Sequence, residues 1–171
     1  ADRQDMKVTG IGTGMACYAD GHYLTNPDKM ARKEAQQDFI DFLEAAHILG
    51  DTVVLFGLMK GPLPDPRERE KYKDILFESL QPVIKAAEKF GNDLTIEAIN
   101  RFQAAYLWSA DETLEFVERF DSKRATIHLD TFHINIEDKD MERAIRICKD
   151  RLGYFHVSDS DRAHPGHGHI D

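Results

Sequence analysis

The sequence predicts an α/β fold built on a parallel sheet, and three observations carry that expectation. Short β-rich runs alternate with longer helical patterns along all 171 residues. Adjacent parallel strands need a crossover element, so this alternation implies parallel pairing. The order is unbroken by linker or low-complexity sequence, apart from the turn-rich Gly61-Pro62-Leu63-Pro64-Asp65-Pro66, so residues 1–171 read as one domain.

The strand candidates are Val8–Met15, Thr52–Phe56, Leu94–Ala98, Ala125–Leu129 and Tyr154–Val157. The first helix is expected from Asn26-Pro27, a cap with proline at the first helical position, to Leu49-Gly50. It lines up Ala35, Phe39, Phe42, Ala46 and Leu49 at three- and four-residue steps. The second covers Pro66–Phe90 and stops at Gly91, with Pro82 expected to kink or divide it. The third opens on the capping box Ser109-Ala110-Asp111-Glu112 and ends near Phe120. The fourth covers Lys139–Leu152, with Gly153 as its stop.

An open doubly wound sheet and a closed (β/α) barrel both satisfy this pattern. Neither GxGxxG nor a Walker P-loop occurs, which removes the usual signature of a nucleotide-binding open sheet. Gly10-Ile11-Gly12-Thr13-Gly14 is glycine-rich, but as a strand end without a lysine or an immediate helix it makes a poor phosphate cradle.

Composition narrows the function classes. Apolar residues make up 42% and charged residues 31%, ordinary for a water-soluble globular protein. A net charge of −9 argues against a nucleic-acid partner, because phosphate binding needs a dense basic face. No apolar run reaches the ~20 residues of a membrane span. The opening Ala1-Asp2-Arg3-Gln4-Asp5 lacks the apolar core of a secretory signal and an initiator Met, so the native N-terminus is expected upstream or processed. Cys17 and Cys148 share no motif and read as buried apolar thiols in a reducing, cytoplasmic setting.

Chemistry-bearing residues sit at the strand ends. Glu97 closes Leu94–Ala98, Asp130 follows Ala125–Leu129, and His156 lies in Tyr154–Val157. The separations, 33 residues (97 to 130) and 26 (130 to 156), each approximate one βα unit. Side chains recurring once per unit at the C-terminal edge of a parallel sheet converge on one place, where barrel enzymes build their sites. Two carboxylates and an imidazole suit Mn²⁺, Co²⁺, Mg²⁺ or Zn²⁺. Each residue has a plainer reading, Asp130 as a turn cap and His156 as a hydrogen-bonded core histidine. The three in register favour a metal site.

The surrounding words sharpen this. Glu97-Ala98-Ile99-Asn100-Arg101-Phe102, Asp130-Thr131-Phe132-His133-Ile134-Asn135-Ile136-Glu137, His156-Val157-Ser158-Asp159-Ser160-Asp161-Arg162 and Pro165-Gly166-His167-Gly168-His169-Ile170-Asp171 occur in order. From about Val8 onward the chain resembles the xylose isomerase-like barrel superfamily, most closely its D-tagatose and D-psicose 3-epimerase type. The resemblance implies a (β/α)8 TIM barrel, here incomplete, with about strands 3 to 7 present. It implies a divalent metal, Mn²⁺ foremost, held by Glu97, Asp130 and His156. It makes Glu97 the catalytic proton-exchanging carboxylate as well, with His133 and Arg162 contacting substrate. The implied reaction is proton transfer next to the carbonyl of a keto sugar, through an enediolate that the metal stabilises.

Two departures stand out. The family often carries a second substrate-contacting Glu six residues after the first, where this chain has Gln103. The family's fourth ligand, a Glu that is also the second acid/base, would fall ~15–20 residues beyond Asp171, one βα unit past His156. The chain is therefore expected to be a fragment of a longer protein or a truncated form. His164, His167 and His169 fit a polar loop over the site better than a separate metal site. Alternatives retained are a hydroxypyruvate isomerase-like enzyme on a small hydroxy-keto acid, and a metal- or sugar-binding chain without turnover. Endonuclease IV-like cleavage is disfavoured by the charge. The resemblance is compatible with a homo-oligomer.

Overall fold

The computed structural model describes residues 6–170. Five strands, β1 (Gly10–Gly12), β2 (Val53–Phe56), β3 (Leu94–Glu97), β4 (Ala125–Asp130) and β5 (Leu152–His156), form one parallel sheet in chain order. Sequential order decides between the two architectures. A doubly wound sheet reverses its strand order at a switch point, and none occurs here. Right-handed crossovers between neighbours keep the helices on one face, so the sheet is a five-stranded section of a (β/α)8 barrel. Every residue of β4 is buried, as expected for a parallel strand covered on both faces.

Helices α1 (Gly14–Asp20), α2 (Lys29–Ile48), α3 (Arg69–Phe90), α4 (Ala110–Glu118), α5 (Thr131–Glu137) and α6 (Met141–Cys148) supply the crossovers. Phe39, Leu43 and Ala46 of α2 and Leu76, Leu80, Val83 and Ala87 of α3 are fully buried against the sheet. Phe39 meets Phe56 of β2 edge to face at 5.2 Å, and Phe77, Phe116 and Phe120 form a second aromatic cluster between α3 and α4. None of the helices described is long and apolar enough to cross a membrane.

Several expectations need correction. Asp28, not Asn26, caps α2 by accepting from Met30 N, and Pro27 lies outside the helix. Pro82 does not divide α3, which runs unbroken for 22 residues behind a 3₁₀ turn at Pro66–Glu68. Gln36 Nε2 of α2 donates to the Ser79 carbonyl at 2.9 Å, supplying a donor beside the point where proline removes one. Ser109 caps α4 as predicted, but Glu112 reaches back to Trp108 N rather than to the cap itself.

The Val8–Met15 strand shrinks to three residues because α1 begins at Gly14, so the glycine-rich segment is followed by an immediate helix. The predicted Lys139–Leu152 helix shortens to α6, and α5 forms ahead of it where no helix was expected. Gly153 is not a helix stop but lies inside β5. A Cβ there would fall 2.1 Å from Thr126 Oγ1, so the strands could not approach so closely with any other residue. Cys148 is buried and Cys17 only half-buried, both as free thiols.

Candidate metal and substrate site

Glu97, Asp130 and His156 are the last residues of β3, β4 and β5. Glu97 pairs in register with His128, and Asp130 with His156. Side chains alternate along a strand and register partners share a face. All four therefore project from the same face at the C-terminal edge. Gly57, just after β2, leaves room for the first of them, since a Cβ there would lie 2.6 Å from Glu97 Oε2.

Glu97 is the unusual group. Its side chain is 15% exposed, yet among the described residues its carboxylate accepts no hydrogen bond. The nearest candidate partners are His128 Nδ1 at 3.7 Å and His133 Nε2 at 3.8 Å, both too distant. Burial pushes its carboxyl up to about 7; the Lys60 ammonium opposes this, Asp130 adds to it, and Arg162 opposes it. A nearly buried carboxylate without donors is costly unless a cation compensates it.

Two metal-sized groups share that carboxylate. One is Glu97 with Asp130 and His133, the other Glu97 with His128 and His156, each with its donor atoms within 4.8 Å of one another. The three predicted ligands are thus gathered at one edge, but they do not by themselves form either compact group. Asp130 is already engaged. Its Oδ1 caps α5 by accepting from Phe132 N at 2.9 Å, and its Oδ2 accepts from Arg162 at 3.2 Å. The plain capping reading of Asp130 is therefore met, and the residue also stands at the shared edge. Oxygen and imidazole donors around an uncompensated carboxylate fit a borderline divalent cation such as Mn²⁺, Co²⁺ or Zn²⁺.

The motif residues lock one another. Asn100 Oδ1 accepts from Phe102 N at 3.0 Å, which turns Nδ2 toward His133 Nδ1 at 2.7 Å. The Asn100 backbone N–H points at the same ring nitrogen from 3.4 Å. The Arg162 guanidinium approaches Nε2 from 3.4 Å, but the nearer Asn100 donor on Nδ1 favours the tautomer with the proton on Nε2, facing the site. Burial, first of all, lowers its pKa to about 4, so the ring is neutral at pH 7. Arg101 grips Glu137 of α5 through its guanidinium and its backbone N–H. The Glu97–Phe102 and Asp130–Glu137 words are therefore two halves of one interlocked unit.

Arg162 arrives from the loop after β5. It adopts φ 68°, a costly conformation for a non-glycine residue, with its N–H held by the Asp159 carbonyl. Its guanidinium covers the Phe132 ring at 3.9 Å and reaches Gln103 Oε1 at 3.2 Å. Asp159 organises this loop by accepting from the backbone of Ser160, Gly166 and Ile170. Those bonds hold its carboxyl far below the usual range. His167 pairs with Asp161 and His169 with Ser160, and none of the three loop histidines joins a metal-sized group among the described residues.

Gln103 also lines an open cleft of about 260 Å³, together with Cys17 and Tyr18 of α1, Leu58 and Lys60. Glu97 does not line it; Lys60 connects the two. Sequence reasoning missed Lys60 and His128. Lys60 is fully buried, donates to the Glu97 backbone carbonyl, and has its pKa lowered to about 8, chiefly by burial. His128 had a usable signal, since it stands two residues before Asp130 on one strand and so shares its face.

Over residues 1–171 the chain matches the family described as the xylose isomerase-like TIM barrel. It is 32% identical over 154 residues to the D-psicose 3-epimerase of Ruminiclostridium cellulolyticum, covering 86% of this chain and 51% of that protein. It is 40% identical over 93 residues to the L-ribulose 3-epimerase of Mesorhizobium japonicum, covering 54% of this chain and 31% of that protein. The fold superimposes on the structure of D-psicose 3-epimerase with D-tagatose from Clostridium cellulolyticum H10 with a TM-score of 0.86. That match has 29% identity and covers 99% of this chain and 58% of the other. The chain spans about half the length of the two D-psicose 3-epimerases that it matches over 86% of its own residues. A match over the whole sequence, on a sheet whose strand order is that of a barrel wall, leads to one assignment: the chain belongs to the xylose isomerase-like TIM-barrel family.

Proposed function

We propose that the protein carrying this chain is a divalent-metal-dependent sugar epimerase or isomerase of the ketose 3-epimerase type, with residues 1–171 as one partial barrel domain. The observation that carries the reading is the Glu97 carboxylate, nearly buried, without a hydrogen bond among the described residues, and facing Asp130, His128, His133 and His156. Glu97, Asp130 and His156 would hold the cation. When bound, it would supply Lewis-acid stabilisation of the charge that develops on the sugar oxygens.

Glu97 takes the proton from the carbon beside the carbonyl. Inversion then requires a second acid that returns a proton to the opposite face of the enediolate, the role of the family's further Glu. His133 offers its Nε2–H to a sugar oxygen, and Arg162 and Gln103 offer further polar contacts at the entrance. Relatives named as D-psicose and L-ribulose 3-epimerases support keto sugars as the substrate class. A second reading follows from Gln103. A neutral amide beside Arg162 leaves that guanidinium uncompensated on this side, which suits the carboxylate of a hydroxy-keto acid.

Incubation with D-psicose, D-fructose, D-tagatose, L-ribulose and hydroxypyruvate, with and without Mn²⁺, separates these readings by product chromatography. Metal-dependent epimerisation of a ketose is expected. Turnover of hydroxypyruvate alone would favour the second reading, and no conversion of any of them would defeat both.

A further inference from the structure

We propose that Lys60 is a positioning residue for the Glu97 carboxylate, holding the end of β3 through a hydrogen bond from its ammonium to the Glu97 backbone carbonyl. The inference rests on the reading of Glu97 as the proton-exchanging base and concerns how that base is aimed.

Strand geometry calls for such a donor. β2 pairs with β3 only as far as Phe56 opposite Ile96, and the chain then turns away at Gly57 into the 3₁₀ turn Leu58–Lys60. In a parallel strand successive residues present their N–H and carbonyl groups to alternate neighbours. The Ala98 N–H faces β4, where it meets the His128 carbonyl at 3.1 Å. The Glu97 carbonyl therefore faces the side that β2 has left. Lys60 Nζ donates to it there at 2.6 Å, one rung beyond the last pair of the ladder.

The turn that carries the lysine is itself fixed. Thr25 Oγ1 donates to the Lys60 carbonyl at 2.7 Å, Leu24 N–H to the Met59 carbonyl at 2.9 Å, and Tyr106 Oη to the Pro62 carbonyl at 2.8 Å. Gly61 sits at φ 90° against Tyr23 and Thr25, with no room for a Cβ. Glu97, by contrast, has a carboxylate that accepts no hydrogen bond among the described residues, so its backbone sets the direction of its side chain.

Stability does not account for the lysine. Lys60 is 1% exposed, and among the described residues its one acceptor is that carbonyl. No carboxylate pairs with it directly; the acids whose charge reaches it are Glu97 and then Glu112. Taking an ammonium out of water for a single neutral acceptor is unfavourable. An apolar side chain of similar size often replaces a buried charge without loss of stability. A lysine at this position is therefore explained by the base that it holds.

The test separates aim from stability in the full-length protein with metal supplied. Lys60→Met should leave Tm equal or higher and lower kcat for ketose epimerisation about 10- to 100-fold. KM should stay within about two-fold, since Lys60 is not placed against the substrate. In Lys60→Ala the missing atoms are those of n-propylammonium, and that cation should restore kcat by at least about five-fold, with saturation. Tetramethylammonium, which has the charge but no N–H, should not. Lys60→Gln replaces the methionine variant if the latter does not fold, with the same loss expected.

An unchanged kcat in Lys60→Met, a raised KM with kcat intact, or equal rescue by the two cations overturns the inference. A parent protein that epimerises no ketose means instead that the reading of Glu97 as the base has failed. The hydrogen bond is then judged by NMR, where the Glu97 carbonyl ¹³C resonance should move upfield in Lys60→Met, and an unmoved resonance overturns it.

Discussion

Replacing Asn100 with aspartate tests how the motifs set the chemistry of His133. Asparagine donates to Nδ1 from 2.7 Å, which favours the proton on Nε2. Aspartate has the same shape, keeps the oxygen that accepts from Phe102 N, and has no N–H to give. In the variant Nδ1 must carry the proton, and Nε2 becomes an acceptor. A neighbouring carboxylate raises an imidazole pKa by roughly 1–3, which takes His133 from about 4 to no more than about 7. At pH 8.5 the ring is therefore still neutral, with the wrong nitrogen protonated. Losing that donor costs about 2 kcal/mol in the transition state, or about 30-fold in kcat/KM. As pH falls toward 6 the variant ring gains its second proton, the Nε2–H returns, and part of the loss should reverse. Long-range ¹H–¹⁵N NMR reads the tautomer directly, and a ketose epimerisation assay reads the rate. A parent protein with the proton on Nδ1, or a variant with unchanged tautomer and rate at pH 8.5, would refute the reasoning.

Other perturbations follow from the same contacts. Gly57→Ala places a Cβ in the space of Glu97 Oε2. Divalent-cation affinity by calorimetry should drop at least about ten-fold, with Tm nearly unchanged, because the displaced group is a carboxylate end and not the core. Gly153→Ala drives a methyl into Thr126 and Thr95, an overpacking cost of about 3 kcal/mol. Thermal denaturation should show a loss of roughly 6–12 °C. Arg101 holds the Glu137 carboxyl below its ordinary value. Its stabilisation is thus present above the unfolded pKa, about 4.3, and lost as pH falls through the depressed folded one. Glu137→Gln should lower Tm at pH 7 by the equivalent of about 1 kcal/mol, with the two melting curves converging near pH 3. Equal Tm differences at pH 7 and pH 3 would contradict the ion pair's role.

The parts of the molecule legible in the sequence are those where one physical signal dominates. β2, β3 and β4 are short apolar runs bounded by turns, and α2 and α3 carry long apolar stripes, so both kinds of element were readable within a few residues. The common placement of Glu97, Asp130 and His156 at one sheet edge was readable because acidic and imidazole side chains recur at strand ends one βα unit apart. Helix α5 was not, since Thr131-Phe132-His133-Ile134 alternates with β-branched residues and is helical because Asp130 caps it and Arg101 anchors its far end. Helix α1 was hidden in a glycine-rich segment too short to show a period. The role of Gly153 depends on Thr126 and Thr95 on neighbouring strands, a contact no local pattern encodes. Lys60 escaped for a similar reason, because its partner is the backbone carbonyl of Glu97, 37 residues away.

The central claim is proton exchange at carbon by Glu97 in a metal-dependent site. The most direct measurement is NMR of deuterium uptake from D₂O into D-psicose, D-fructose and D-tagatose, with Mn²⁺ supplied or chelated and Glu97→Gln in parallel. The account predicts label at C3 of at least one ketose, appearing only with metal and with Glu97 intact. Absence of label from every sugar while the cation demonstrably binds, or label that persists in Glu97→Gln, would contradict it.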